Sequence, residues 1–249
     1  MPDLTILHTN DFHGKLSDLA AETIARERSS SERCLLLDAG DAIASGNIYY
    51  RPGGEPILAR MSDLGYDAMA MGNREFHFLE AGLKAKVRLA QFPILSANFG
   101  SDLRWAARAV IPSVRFELGG LTIGMFGLTV PMITKRMRVS KLSPFWFDDP
   151  VSCAVEIVPK LRRAVDLLIA LTHIGLRADM ELAASAPGID IVVGGHSHAV
   201  LDEPRIVGNT VILQAGSWGR HLGKAEVVLT GRAEDRVSVR QTMIDLTSA

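Results

Sequence analysis

Six short apolar runs each end in side chains able to ligate a metal, or in an Asn. Residues 4–7 run into HTNDFH, residues 35–37 into DAGD, and residues 68–71 into GN. Residues 94–95 run into SAN, residues 167–171 into TH, and residues 191–193 into GGHSH. Runs of β-branched and aliphatic residues predict strands, and α/β sheets bind ligands at the carboxyl ends of their strands. Asp11, His13, Asp41, Asn73, His173, His196 and His198 are therefore expected to converge from distant positions. Imidazole mixed with carboxylate and amide oxygen, without thiolate, suits Mn, Fe, Co, Ni or Zn. So many ligands suggest two ions, and a pair ~3.5–4 Å apart can generate hydroxide from water and clamp a phosphoryl group.

A single His or Asp at a strand end is more often a turn former than a ligand. The spacing argues otherwise here. Asp11 and His13, like His196 and His198, are two apart, so on extended backbone each pair points to one side and can grip one ion. Gly194 and Gly195 before His196 permit a tight turn with close backbone approach.

Strand-like and helix-like segments must alternate to place these residues. Residues 17–27 have helical apolar spacing behind a Ser cap, residues 55–64 carry Pro in the first turn, and residues 78–90 continue the pattern. The alternation predicts βαβ units and a sheet at least partly parallel. Residues 114–118, Gly119-Gly120 and residues 121–128 read as a hairpin. Residues 149–164 return to helix, with Pro159 expected to kink or restart it. A last βα unit covers residues 178–186 and 189–193, and strands follow over 205–207, 210–214, 225–229 and 236–246. No repeat or linker interrupts the chain, so one domain over residues 1–249 is expected.

The bulk composition narrows the class. The 249 residues are 47% hydrophobic and 22% charged, with a net charge of −1. That gives no electrostatic case for nucleic acid or an anionic membrane, and no run approaches the ~20 apolar residues of a membrane span. The first strand begins so early that a signal peptide is not expected, and the reading is cytoplasmic. Cys34 and Cys153 sit in apolar settings and make no disulfide framework, so buried free thiols are expected.

The blocks HTNDFHG, DAGD, GNREF, SAN, THIG and GGHSH resemble the signature of the calcineurin-like metallophosphoesterases. The likeness is greatest to the catalytic domain of the 5′-nucleotidase and cyclic-nucleotide phosphodiesterase branch, and extends to LSDLGYDAMAMGN, FPILSANF and LQAGSWGRHLG. It implies a four-layer α/β/β/α sandwich of two mixed sheets flanked by helices. It implies that Asp11, His13 and His198 hold one metal, that Asn73, His173 and His196 hold the second, and that Asp41 bridges both. Asp41 rather than Asp38 follows the Gly of the matching motif. The implied cofactor is two divalent ions, manganese ahead of zinc, iron, cobalt and nickel. The implied activity is hydrolysis of phosphate esters, nucleoside 5′-monophosphates foremost, by a metal-bound hydroxide. The implied partner is thus a small phosphoester.

The third block departs from the pattern. The branch reads GNHEFD, where the His contacts phosphate or protonates the leaving oxygen and the Asp orients it. Here Arg74 takes the His position and His77 the Asp position. Arg cannot act as an acid near neutral pH but can bind phosphoryl oxygens bidentately. His77 could donate the proton. Three readings follow: turnover with Arg74 as clamp and His77 or water as acid, turnover confined to good leaving groups, or binding without turnover. Phosphodiester cleavage, including cyclic nucleotides, is the enzymatic alternative, and a metal- or nucleotide-binding module the other. A salt bridge from Arg74 to Glu75 or Glu80 is the structural alternative.

Other residues carry weaker signals. His8 could support the ligands or be a satisfied core histidine, His221 could line the site, and Asn98 reads as a structural turn residue. Residues 135–138 and Lys141 read as a solvated basic face, while residues 145–147 and Tyr49-Tyr50 read as packing. Full 5′-nucleotidases carry a second domain that holds the base, and the present sequence corresponds to the catalytic domain alone, so nucleotide specificity does not transfer.

Overall fold

The computed structural model describes residues 3–232 and 236–248. In chain order the elements are β1 (Leu4–Thr9), α1 (Asp18–Ser29), β2 (Cys34–Asp38), α2 (Pro56–Asp63), β3 (Ala68–Ala70), α3 (Glu80–Val87), β4 (Ile94–Leu95) and β5 (Phe99–Ser101). Next come α4 (Ala106–Ala109), β6 (Val110–Ile111), β7 (Ser113–Leu118), β8 (Leu121–Thr129), β9 (Phe145–Phe147), α5 (Pro150–Arg162) and β10 (Leu167–His173). The chain ends with α6 (Leu176–Ser185), β11 (Ile191–Gly194), β12 (Arg205–Val207), β13 (Thr210–Leu213), β14 (His221–Leu229) and β15 (Val237–Asp245).

One sheet has seven strands in the order β15-β14-β1-β2-β3-β4-β6, and a second has six in the order β12-β13-β11-β10-β8-β7. Both are mixed: β1 through β4 run parallel and β14 antiparallel, while β8, β10, β11 and β13 run parallel and β7 and β12 antiparallel. The two-residue period of a strand divides the side chains between layers. Leu4, Ile6, Leu35 and Leu37 meet Ile123, Met125, Ile169 and Leu171 of the other sheet. Leu7, Leu36 and Met69 point the opposite way, onto Ile24 of α1 and Leu58 and Met61 of α2. Phe126, Leu168 and Val192 cover α5 and α6 at Ala154, Val158 and Leu182. Layers stacked in this way form the expected α/β/β/α sandwich.

Local signals start the helices where the sequence places them. The Ser17 hydroxyl accepts the Ala20 N–H at 3.1 Å to open α1, and Asp149 accepts the Ser152 N–H at 2.8 Å to open α5. Pro159 sits inside α5 without ending it. It lies on the exposed face, where water can take up the carbonyl it frees. The ribbon of β5 and β9 is not foreseen by the sequence reading, and it sinks Phe145 and Phe147 into the core. Both cysteines are free, and no helix among the described residues is long and apolar enough to cross a membrane.

The carboxyl ends of β1–β3, β10 and β11 share one edge, where cross-sheet bonds pin the two sheets together. His173 Nδ1 bonds to the Ala39 carbonyl at 2.7 Å, and the Thr129 hydroxyl donates to the Met71 carbonyl at 2.7 Å. Asn98 donates to the Thr129 carbonyl at 2.8 Å, the structural role its position suggests.

His8 on β1 is fully buried, with Nε2 3.3 Å from Gln241 Oε1 of β15. Burial outweighs that bond and lowers its pKa to about 4. The unfolded chain takes this proton near pH 6.5, so it binds more protons than the folded chain between the two values. His8 therefore contributes destabilisation as pH falls from about 6.5 to 4, about 3 kcal/mol in full. Burial raises Glu75 and Asp179 to about 7, and both act in the opposite sense. Comparing urea unfolding of the wild type and His8→Asn isolates the histidine: the wild type should lose stability relative to the variant over this range. A gap between them that ignores pH would count against it.

Candidate metal centre

All seven expected ligands lie at the shared sheet edge. Asp11 and His13 follow β1, Asp41 follows β2, Asn73 follows β3, His173 ends β10, and His196 and His198 follow β11. His13 Nε2 and His198 Nε2 stand 3.0 Å apart, at 3.6 and 3.2 Å from Asp11 Oδ1. His173 Nε2 lies 3.4 Å from Asp41 Oδ1 and 3.2 Å from Asn73 Oδ1, and His196 Nδ1 lies 3.1 Å from the same Asn73 oxygen. Ligand atoms of Asp11, His13 and His198, and of Asp11, Asp41 and His173, gather within 4.8 Å of one another. Asp11 Oδ1 is buried with no hydrogen-bond partner. A buried carboxylate oxygen left unpaired costs free energy unless a cation meets it. The donor set fits divalent metal ions.

The surroundings hold the donors in place. Ala39 O can only accept, so His173 Nδ1 carries a proton and Nε2 is the nitrogen turned to Asp41 and Asn73; an ion bound there would take the place of the second proton. Asn10 donates to Asp11 Oδ2 at 2.8 Å, and the same oxygen accepts the His196 N–H at 2.8 Å. Gln214 accepts from the Ser197 hydroxyl and the Ala199 N–H, both at 2.7 Å, which fixes the turn through His196 and His198. At Gly195 a Cβ would fall 2.7 Å from Ala39 O and 3.0 Å from His173 Nδ1, so close approach requires glycine there.

Electrostatics separate the imidazoles. Burial, then the Arg74 charge, lowers the pKa of His13; burial, then the His173 charge, lowers that of His196. Both are held neutral, the form that ligates. Burial resists charge on His173 and Asp41, but their mutual attraction holds Asp41 low and His173 up at about 9.

Arg74 reaches this cluster. Its N–H donates to Asp41 Oδ1 at 2.7 Å, Nε lies 3.6 Å from Asp41 Oδ2, and the guanidinium donates to the Ala44 carbonyl at 2.8 Å. Its ion pair is thus with Asp41, not with Glu75 or Glu80. His77 is placed elsewhere. The ring is 1% exposed, accepts the Leu79 N–H at Nδ1 and turns Nε2 to the Ile48 carbonyl at 3.4 Å. Stacked on Phe78 and edge-on to Tyr50, it anchors the start of α3. Both nitrogens serve backbone groups, so the proton-donor role expected of His77 does not match its position.

The remaining candidates stand outside the ligand cluster. Asp38 accepts from Thr9 and Gly40, not within the ligand cluster. His8 is a core residue, and His221 has a buried Nδ1 without a partner. Residues 135–138 and Lys141 are exposed.

The sequence model of the calcineurin-like phosphoesterases matches residues 4–200. The chain belongs to this family. It is 33% identical over 266 residues to the trifunctional nucleotide phosphoesterase protein YfkN of Bacillus subtilis, an alignment covering 90% of this chain and 18% of that protein. It is 32% identical to the 5′-nucleotidase of Vibrio cholerae, covering 90% of this chain and 48% of that one. The phosphoesterase chain therefore spans less than half the length of these relatives. The crystal structure of a 5′-nucleotidase precursor from Thermus thermophilus superposes with a TM-score of 0.80 at 26% identity, over 97% of this chain and 54% of that one.

Glu75, Lys86 and Trp218 also stand at this candidate site, in roles that the sequence alone does not assign. Glu75, fully buried, accepts the N–H groups of Asp41 and Gly72 at 2.9 Å and of Ile43 at 3.2 Å. Lys86, also buried, donates to the carbonyls of Gly46 and Arg74. Trp218 packs its ring on His13 at 4.6 Å between centroids. Only Glu75 left a signal, as the acid next to the changed position. Because Glu75 sets the Asp41 peptide, Glu75→Gln should weaken metal retention about 10–100-fold, read as metal content after dialysis against graded chelator. Retention equal to wild type would sink the assignment.

Proposed function

We propose that this chain hydrolyses phosphate esters at two divalent ions, with phosphomonoesters such as nucleoside 5′-monophosphates as substrates. The convergence of Asp11, His13, Asp41, His173 and His198, with Asp11 Oδ1 buried and unpaired, carries the reading, and Asn73 joins His173 to His196 beside them. Asp11, His13 and His198 would hold one ion and Asn73, His173 and His196 the second, with Asp41 reaching both. Bound there, such ions supply Lewis acidity and bring the pKa of water to near 7; manganese is the leading candidate. Relatives named nucleotide phosphoesterase and 5′-nucleotidase support a nucleotide substrate.

Arg74 takes the role of clamp. Fixed by Asp41 and Ala44, its guanidinium is 30% exposed and free to meet phosphoryl oxygens in two-point contact. It cannot give up a proton, and His77 is turned away, so water protonates the leaving oxygen. That observation favours a second reading, phosphodiesters including cyclic nucleotides, for esters whose leaving groups need little help.

The test is metal-reconstituted protein on AMP, glycerol 3-phosphate and a 2′,3′-cyclic nucleotide. Asp41→Ala should abolish turnover, and Arg74→Ala should lower kcat/KM about 100-fold. Turnover of none of these esters with both metals bound would overturn the enzymatic reading. Cleavage of the cyclic ester alone would promote the second reading, and an unchanged kcat/KM in Arg74→Ala would refute the clamp.

A further inference from the structure

Trp218 is in an unusual position. Among the described residues, six other than glycine have positive φ; five are candidate ligands and the sixth is Trp218, at 64°. Such backbone in a bulky residue persists only where its surroundings enforce it, and it clusters at functional sites. The Trp218 N–H donates to the Asp11 carbonyl at 2.8 Å. Next to it, a Cβ on Gly219 would fall 2.1 Å from the Lys15 carbonyl, so the loop is pressed onto the segment that follows His13. The indole meets His13 at 4.6 Å and His198 at 6.3 Å between centroids, yet the residue remains 42% exposed.

The free surface of Trp218 lines a pocket of about 570 Å³ with Lys15, Leu16, Ser17, Leu246 and Thr247. That is the size of a small-molecule site. Its chemistry is an aromatic wall, aliphatic contacts from the two leucines, the Ser17 hydroxyl with its proton still to donate, and the Thr247 hydroxyl, which donates to Asp245 and can still accept. Lys15 is exposed and makes no ion pair among the described residues. The pocket and the metal centre share a wall, because the same indole touches His13 and His198 on the ligand side.

We propose that Trp218 and this pocket form the leaving-group subsite, and that the group they take is a planar aromatic one, a nucleobase being the natural case. The proposal rests on the phosphoesterase reading above. With the phosphoryl group on the ligand cluster, the base stacks on the indole, and the hydroxyls of Ser17 and Thr247 meet its polar edge or the sugar. The substrate class narrows from phosphomonoesters at large to nucleotides and aryl phosphates.

Two measurements test it. In Trp218→Ala, the ratio of kcat/KM for AMP to that for glycerol 3-phosphate should fall about tenfold, the scale of one base–aromatic stack. Trp218→Phe keeps a ring and should restore most of the ratio. Equal losses on both esters would mean that Trp218 only steadies His13, and would overturn the proposal. Independently of turnover, adenosine should bind the wild type saturably by equilibrium dialysis and about tenfold more weakly in Trp218→Ala. Adenosine binding that ignores the substitution overturns the subsite. If the wild type turns over neither ester while adenosine binding depends on Trp218, the phosphoesterase reading falls and the base site stands. If Trp218→Ala does not fold, adenosine quenching of indole emission that is present in wild type and lost in Trp218→Phe decides the same point.

Discussion

Left-handed backbone at the ligands is the constraint on which the rest of the structure depends. Asp11, His13, Asp41, His196 and His198 have φ between 49° and 73°, each costing on the order of 1–2 kcal/mol. Aspartate and histidine tolerate that conformation better than most side chains, yet it still costs free energy. It is imposed by bonds between loops that are remote in sequence. The Asp11 N–H donates to Gly40 O at 2.9 Å and the His13 N–H to Asp41 O at 3.0 Å, so the first two loops lace together. Asp11 Oδ2 then takes the His196 N–H from the opposite sheet. Asp11 with His13, and His196 with His198, are therefore brought to the site by left-handed turns and not by the extended backbone that their spacing suggests.

Such lacing needs two sheets that cannot slide. The inner layer supplies that rigidity with aliphatic side chains alone, from Leu4 and Ile6 on one side to Ile169 and Leu171 on the other. Shifting a strand by one residue would turn these outward and polar neighbours inward. Outside the inner layer, α1 to α3 and α5 to α6 close the remaining faces. Polar groups that support the donors are satisfied by specific partners, as Glu75 is by three peptide N–H groups, while Asp11 Oδ1 is left unpaired. Position and polarity at the site are thus set by the same apolar layering that sets the fold.

That division explains what could be read from the chain. Strand ends and candidate ligands are legible because β-branched runs and metal donors are local signals, and their order matches a family pattern. Helix starts at Ser17 and Asp149 were legible for the same reason. Glu75, Lys86 and Trp218 were not, because their roles depend on which loops meet in space. His77 was misplaced by analogy. Its position in the motif suggests the site, but the Leu79 N–H and the packing of Phe78 and Tyr50 hold it beneath α3. That α5 runs on through Pro159 without a restart is not legible, because only the folded helix shows its exposed face.

Arg74 changes what the site asks of a substrate. With two divalent ions in place, Asp11 and Asp41 leave two positive charges, and Arg74 adds a third. By charge alone a phosphomonoester dianion suits that site better than a diester monoanion. Proton donation pulls the other way, since a well-placed acid contributes about 10²–10⁴ in rate and neither Arg74 nor His77 can act as one here. Charge matching at a guanidinium 30% open to solvent is screened, whereas the absent acid weighs on every turnover in proportion to the basicity of the leaving oxygen. Under the proposed hydrolysis the leaving group would therefore decide selectivity more than the phosphoryl group, and the exposed indole of Trp218 stands beside the candidate ligands.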